Sequence, residues 1–473
     1  MPGADHWTPD EFRQHGHEVV EWVARYLETI EERPVQSPVE SGWVRAQLPA
    51  SPPEGPEAFT SVLADLDRVV VPGLTQWQHP GFFGYFPTGA SGPSVLADLV
   101  SSGLGVQGML WATSPACTEL ETHVLDWMVE LLALPDRFRS DGRGGGVIQD
   151  SASSATLCAL LAARFRAAGD GPFDRLRAYT STQAHSSVER AVRIAGLRPD
   201  QLRSIGVDAT FALRPDLLRA AIDADVAAGL VPFLVVANVG TTSSAALDPL
   251  VATGEVCGAS GAWLHVDAAY AGSALVCPEL RWIVDGLEAA DSFCMNPHKW
   301  LLTNFDCDCF WVADRVALNG ALSVLPEYLR NDASEVGEVI DYRDWQVPLG
   351  RRFRSLKLWF VLRSYGAAGL RGVVRSHVAL ARGLADRVTA HPRLQLAAPA
   401  SLGLVCLRHV DGDDATRWLL DAVNAAGPFL VTHTRLDGHL VLRVSIGSQR
   451  TRAEHVDDLW ALLDERASSV GRS

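Results

Sequence analysis

The sequence predicts an α/β fold in which a mainly parallel sheet carries helices on both faces, and three observations lead there. Between about residues 92 and 350, short apolar runs such as "PFLVVANVG", "AWLHVDAAY" and "CDCFWVAD" alternate with helical patterns. These runs are nearly continuous in their apolar character, as strands covered on both faces are. An amphipathic helix and a Pro-rich stretch precede this region, and a long helical segment, two strands and a final helix follow it. Residues 1–91 are thus expected to form an N-terminal helical arm, residues 92–356 a large domain, and residues 357–473 a small α+β domain.

The arm opens at "TPDEF", where Thr8 can cap the helix, Pro9 suits the first helical position, and Glu11 completes a capping box. In "EVVEWVARYLETI" apolar residues recur at three and four, so one face of this helix seeks a partner. The stretch "QLPASPPEGPEAF" reads as an extended linker, which suits an arm laid on another surface, such as a second subunit. In the large region "GGGVIQD" is a strand leading into the helix "ATLCALLAARFRAA". Near the end, "LGLVCLRHV" and "HLVLRVSIG" are strands and "AEHVDDLWALLDER" is the last helix.

Composition removes several function classes. The formal charge is −15 and no long basic run offsets it, which argues against binding nucleic acid through phosphates. No apolar run is long enough to cross a bilayer as a helix, and the polar start "MPGADHWTPDEFRQHG" has no signal-peptide pattern. A cytoplasmic protein without a membrane partner is expected. The eight cysteines are irregularly spaced, several of them inside apolar runs, so they read as reduced buried thiols. Cys307 and Cys309 lack a second ligand pair and are expected at alternate positions of one strand, so no metal site is expected.

Of 41 Lys plus Arg, only Lys299 and Lys357 are lysine. A lysine amine can lose its proton when buried and attack a carbonyl, whereas a guanidinium stays charged. Lys299 sits in "DSFCMNPHKW"; Lys357 is expected on a helix surface. Upstream, "WLHVDAAYAG" ends a strand at Asp267. An imine-forming lysine and a carboxylate that keeps a pyridine nitrogen protonated are what a pyridoxal phosphate enzyme requires. The hydroxyls of Ser151, Ser153 and Ser154, at the start of a helix behind a glycine run, suit a phosphate, although a Ser-capped helix accounts for them equally. The letters "GLGVQG" follow a helical pattern and no strand, so a dinucleotide site is discounted.

Taken together, "WVARYLETI", "YFPT", "SPACTELET", "GGGVIQ", "QAHSSVERA", "LHVDAAYAGSA", "NPHKWLL", "NFDC" and "WQVPLGRRFRSLKLWFV" resemble, in order along nearly the whole chain, the aromatic-L-amino-acid decarboxylases. That resemblance implies a fold type I enzyme with a seven-stranded large-domain sheet, pyridoxal 5'-phosphate as cofactor, and a homodimer with active sites at its interface. It makes Lys299 the covalent attachment point and Asp267 the partner of the pyridinium nitrogen. His185 becomes the residue stacked on the ring, and Ser151, Ala152, Ser153, Thr242, Ala269, Asn296 and His298 further cofactor contacts. "LPEYLRNDASEVGEV" resembles the family's catalytic loop, with Tyr328 as the acid that protonates Cα after carbon dioxide leaves.

The same resemblance places Trp77, Tyr85, Phe86, Pro87, Thr88 and Phe305 in an aromatic substrate pocket, where composition alone would read core. Gly350 resembles members acting on aromatic amino acids, as opposed to histidine. Gln107 and Met109 depart from the animal members, which carry isoleucine and phenylalanine there, so the pocket's shape or polarity is altered. Decarboxylation of tryptophan, phenylalanine, tyrosine or dihydroxyphenylalanine is the expected activity, with tryptophan or phenylalanine favoured. The alternatives are an oxygen-dependent aromatic acetaldehyde synthase of the same family and a non-catalytic binding paralogue. Tyr328 and His185 argue against the first, and the complete set of chemical positions against the second.

Overall fold

The computed structural model describes residues 6–324 and 339–470. Its centre is a seven-stranded sheet of β1 (Gly145–Gln149), β2 (Leu176–Ser181), β3 (Leu202–Ile205), β4 (Val231–Asn238), β5 (Trp263–Asp267), β6 (Ser292–Met295) and β7 (Asp308–Val312). The order across the sheet is β1-β7-β6-β5-β4-β2-β3. The pairs from β3 through β2, β4 and β5 to β6 are parallel, and β7 alone runs antiparallel to both neighbours. The expected mainly parallel sheet and its seven strands are both present. Continuous burial along β1, β2, β5, β6 and β7 is the cause of their unbroken apolar sequence.

A second sheet combines β8 (Leu394–Leu396), β9 (Leu404–His409), β10 (Thr432–Leu436) and β11 (His439–Ser445) in the order β10-β11-β9-β8. It is antiparallel throughout. The helix Ser355–Ala390 leads into it, interrupted at Gly366, whose φ of 61° leaves the helical region that a side chain would prefer. Leu384, Val388, Leu407, Leu419 and Leu459 share a core there.

The first helix of the chain is Pro9–Glu28. Thr8 Oγ1 accepts from the Glu11 N–H at 3.2 Å and Glu11 returns a bond to the Thr8 N–H at 2.7 Å, so the capping box forms. No residue of this helix is buried within the chain, and Phe12, Val19 and Val20 are exposed. The "GLGVQG" letters fall at the end of the helix Gly92–Leu104, with Gly105 as its left-handed cap, so the dinucleotide motif is indeed coincidental.

Two expectations need correction. Lys357 is not on a helix surface: it is 1% exposed, with Nζ 3.5 Å from Asp98 Oδ2. Its neighbours on the helix, Leu356 and Leu358, are also buried, because this turn packs on the helix Gly92–Leu104. Cys307 precedes β7 instead of lying in it, although its thiol and that of Cys309 are both buried. All eight cysteines are free and buried, and among the described residues no cluster suited to a metal occurs. Among those residues, too, no helix is long and apolar enough to cross a membrane.

Candidate active site

Open parallel sheets collect ligands beyond the carboxyl ends of their strands, where the loops diverge. Here the ends of β4, β5 and β6, with the start of the helix Ala152–Ala168, enclose a cleft of about 210 Å³. Ten of the residues expected at the site line it: Ser151, Ala152, Ser153, His185, Thr242, Asp267, Ala269, Asn296, Lys299 and Phe86. Five others, Ser187, Asn238, Gly240, Thr241 and Tyr270, were not anticipated. Most of these continue strand ends already recognised: Asn238 closes β4, with Gly240 and Thr241 just beyond, and Tyr270 follows Asp267. Gly240 has φ +85°, and a Cβ there would lie 2.6 Å from that of Ala271, so only glycine fits this wall.

Lys299 lies in the short helix Pro297–Trp300 that follows β6, with its Nζ 5.7 Å from the centre of the Phe86 ring. Burial lowers the proton affinity of its amine, and the charge of Asp267 works in the opposite direction. Asp267, the last residue of β5, is buried and accepts from the Ala269 N–H at 3.0 Å. That bond fixes the carboxylate, and no Lys or Arg among the described residues forms an ion pair with it. At the other end of the cleft, Ser151 caps the helix Ala152–Ala168, accepting from the Ser154 N–H at 3.4 Å. The free N–H groups of the first turn and the helix dipole favour an anion there. Asp150 is not among the residues that line the cleft, and its carboxylate accepts from Ser151 Oγ at 3.2 Å.

His185 lines the cleft at its exposed edge, with Nδ1 accepting from the Ser187 N–H at 3.2 Å. A neutral ring then carries its proton on Nε2. His298 does not line the cleft but supports Asn296, which does. Burial pushes the His298 pKa down to about 4, so the ring is neutral. Its Nδ1 accepts from the Cys307 N–H at 2.9 Å, which leaves the proton on Nε2. Nε2 lies 3.2 Å from the Asn296 amide and must meet an oxygen there, so that amide turns its NH2 the other way. The other arm of the amide is buried and has no partner among the described residues.

The aromatic residues expected around the substrate behave differently. Phe86 is buried and stacks on Tyr270 with ring centres 3.7 Å apart, and Tyr270 stacks in turn on Trp300 at 4.8 Å. Pro87 is buried against Gly447. Trp77 and Tyr85 stack on each other at 5.6 Å and remain exposed, as does Phe305, whose ring lies 4.8 Å from that of His298. Thr88 carries an acceptor carbonyl for Gln78 and is outside the cleft. Gln107 and Gly350 meet at a separate cleft, where Gln107 Oε1 accepts from the Arg351 N–H at 2.6 Å; Met109 is half-buried nearby. Tyr328 lies outside the described residues.

The model of the pyridoxal-dependent decarboxylase conserved domain matches residues 42–410. A phenylacetaldehyde synthase of Arabidopsis thaliana is 48% identical, over 97% of this chain and 96% of its own. An aromatic-L-amino-acid decarboxylase of Mus musculus is 46% identical over 98% of both chains. Among solved structures, Oryza sativa TDC with PLP and tryptamine superposes with a TM-score of 0.96 at 41% identity, covering 98% of this chain and 99% of that one. The cleft fits such a cofactor: an amine opposite a carboxylate for the ring, and a helix N-terminus with the unpartnered Asn296 amide for the phosphate. Its cofactor is pyridoxal 5'-phosphate, its reaction class is that of a carboxy-lyase, and the chain belongs to the pyridoxal-dependent decarboxylase family.

Proposed function

We propose that this enzyme decarboxylates an aromatic L-amino acid to its amine and carbon dioxide, working as a homodimer. The observation that carries the reading is the joint placement of Lys299, Asp267 and the Ser151-capped helix around one cleft. Pyridoxal phosphate supplies an electron sink for the bond to the carboxylate. The residues of the chain do the rest. Lys299, its proton affinity lowered by burial, would be the residue that holds the cofactor covalently, its amine able to give up and take back a proton. Asp267 would keep positive charge on the cofactor's nitrogen. His185 would pack against the cofactor; Ala152, Ser151, Ser153, Asn296 and, through Asn296, His298 would hold its phosphate; Thr242 and Ala269 would complete its surroundings. Tyr328 delivers the proton to Cα.

An aromatic substrate accords with Phe86 at the cleft and with the names of the relatives. Trp77, Tyr85, Pro87, Thr88, Phe305, Gln107, Met109 and Gly350 serve the substrate where a second subunit closes the site. Support for that dimer comes from a largely apolar groove of about 620 Å³ between the arm and its neighbours, lined by Trp7, Phe12, Val19, Val20, Phe59 and Leu99. Leu96, Val100 and Leu104 extend the exposed apolar surface along the next helix. Surface of this kind is what association covers. Tryptophan and phenylalanine are the favoured substrates.

The similarity to a phenylacetaldehyde synthase keeps a second reaction in view, and the products separate the two. Purified protein loaded with pyridoxal phosphate should release carbon dioxide and an equal amount of amine from an aromatic amino acid, without peroxide. Peroxide and ammonia in proportion to substrate would assign the aldehyde synthase reaction, and no carbon dioxide from any aromatic amino acid would reject the proposal. Light scattering at micromolar concentration should give twice the chain mass; an active monomer would reject the dimer.

A further inference from the structure

Asp308 opens β7 inside an otherwise apolar run, and it is fully buried. Among the described residues neither of its carboxyl oxygens has a hydrogen-bond partner. Strand register places it. Asp267 pairs with Cys294 across β5 and β6, and Cys294 pairs with Phe310 across β6 and β7. Side chains alternate along a strand, so Asp308, two residues before Phe310, points to the same sheet face as Asp267 and Cys294. On the far side it pairs with Gln149 of β1. The helix Ala152–Ala168, whose first residues line the cleft, packs against β1, β4, β5, β6 and β7. Asp308 is therefore a buried acid in the layer that carries the cofactor cleft.

An ionised carboxylate in such a place would need a partner in contact, and the described residues supply none. The charges acting on it are those of Asp267 and Asp150, which oppose ionisation, and of Lys299, which favours it. The other titratable groups around it are the thiols of Cys158, Cys294, Cys307 and Cys309. Burial raises the Asp308 pKa well above the usual range, with Asp267 adding to the effect.

We propose that Asp308 is a positioning residue of the cofactor cleft, kept as a neutral carboxylic acid so that Asp267 supplies the only carboxylate charge acting on Lys299 from this layer. Ionisation of Asp308 would add a second negative charge and raise the proton affinity at Lys299. This rests on the assignment of Lys299 and Asp267 to the cofactor, but the protonation of Asp308 does not, and the two can be tested apart.

Infrared spectroscopy of the apoprotein at neutral pH should show the carbonyl band of a protonated buried carboxyl, and the band should vanish in Asp308→Asn. In the holoenzyme, the visible absorbance of the bound cofactor should titrate in two steps as pH rises, with the alkaline step lost in Asp308→Asn. Because the acid is neutral in the fold at pH values where the unfolded chain has released its proton, the wild type should lose stability relative to Asp308→Asn as pH rises from about 4. Should the Asn variant fail to fold, Asp308→Ser provides the neutral comparison. Persistence of the infrared band in the variant overturns the neutral acid, and superimposable absorbance titrations overturn the effect on Lys299. Failure of the cofactor assignment itself would appear separately, as an unchanged visible spectrum in Lys299→Arg.

Discussion

The two lysines of this chain are both drawn inside the protein, and the difference between their surroundings separates chemistry from architecture. Lys357 has a counterion 3.5 Å away, Asp98, whose carboxylate also accepts from Asn304 Nδ2 at 2.9 Å. Asn304 donates in turn through its backbone N–H to Ser94 Oγ at 2.8 Å. The lysine thus ties the helix Ser355–Ala390 and the helix Gly92–Leu104 to the turn that carries Phe305. Lys299 faces a cleft, and the carboxylate that acts most strongly on it, Asp267, is held by its own backbone bond. A buried amine beside its counterion braces a structure. One whose counterion stands apart can give the proton up.

The largest effect should follow from Lys299→Arg, which keeps charge and removes the capacity for an imine. Turnover should fall roughly 10⁴-fold or more, as expected for loss of a covalent nucleophile, while the fold persists. Steady-state kinetics beside circular dichroism would show it, and substantial residual turnover would place Lys299 in the same class as Lys357.

Acid should destabilise the fold through imidazoles buried on both sides of the comparison: His265 in β5, His298 beside Lys299, and His377 on the helix that carries Lys357. Burial pushes His265, His298 and His377 down to about 4 from the ordinary 6.5. Between those values the unfolded chain binds more protons than the folded one, so stability is complete above 6.5 and is lost as pH falls toward 4. Urea midpoints measured at intervals across this range should fall with pH, and a flat profile would contradict neutral buried imidazoles.

The smallest effect belongs to Lys357→Met. Asp98 would keep Asn304 and the Arg352 guanidinium 3.6 Å away and lose only its ammonium partner, costing about 1 kcal/mol of stability. The visible absorbance of bound cofactor should remain. Loss of cofactor binding in this variant, with the fold intact by circular dichroism, would erase the distinction between the two lysines.

Much of the site was legible because its chemistry falls at punctuation in the sequence: Asp267 at the end of an apolar run, Ser151 at a helix start, Lys299 after a short strand. Asn238, Gly240 and Thr241 could have been found by the same rule, since "PFLVVANVGTT" is a strand followed by its loop. Asp308 also left a trace, an acid within "CDCFWVAD", but nothing local says whether such an acid reaches solvent. The four-residue strands β3 and β6 were too short to stand out as runs, and half-exposed β3 lacks the apolar signal of its neighbours.

By itself the sequence determined the alternation of buried strands and helices, the family, and the residue types required for a cofactor that binds an amine. These depend on local order, which the chain carries wherever it goes. Only tertiary structure decided that Lys357 is buried, that Phe86 lines the cleft while Trp77, Tyr85 and Phe305 stay exposed, and that Asp308 shares a face with Asp267. The reason is strand order: β7 lies between β1 and β6, bringing together residues from distant parts of the chain and fixing which side of the sheet each one faces.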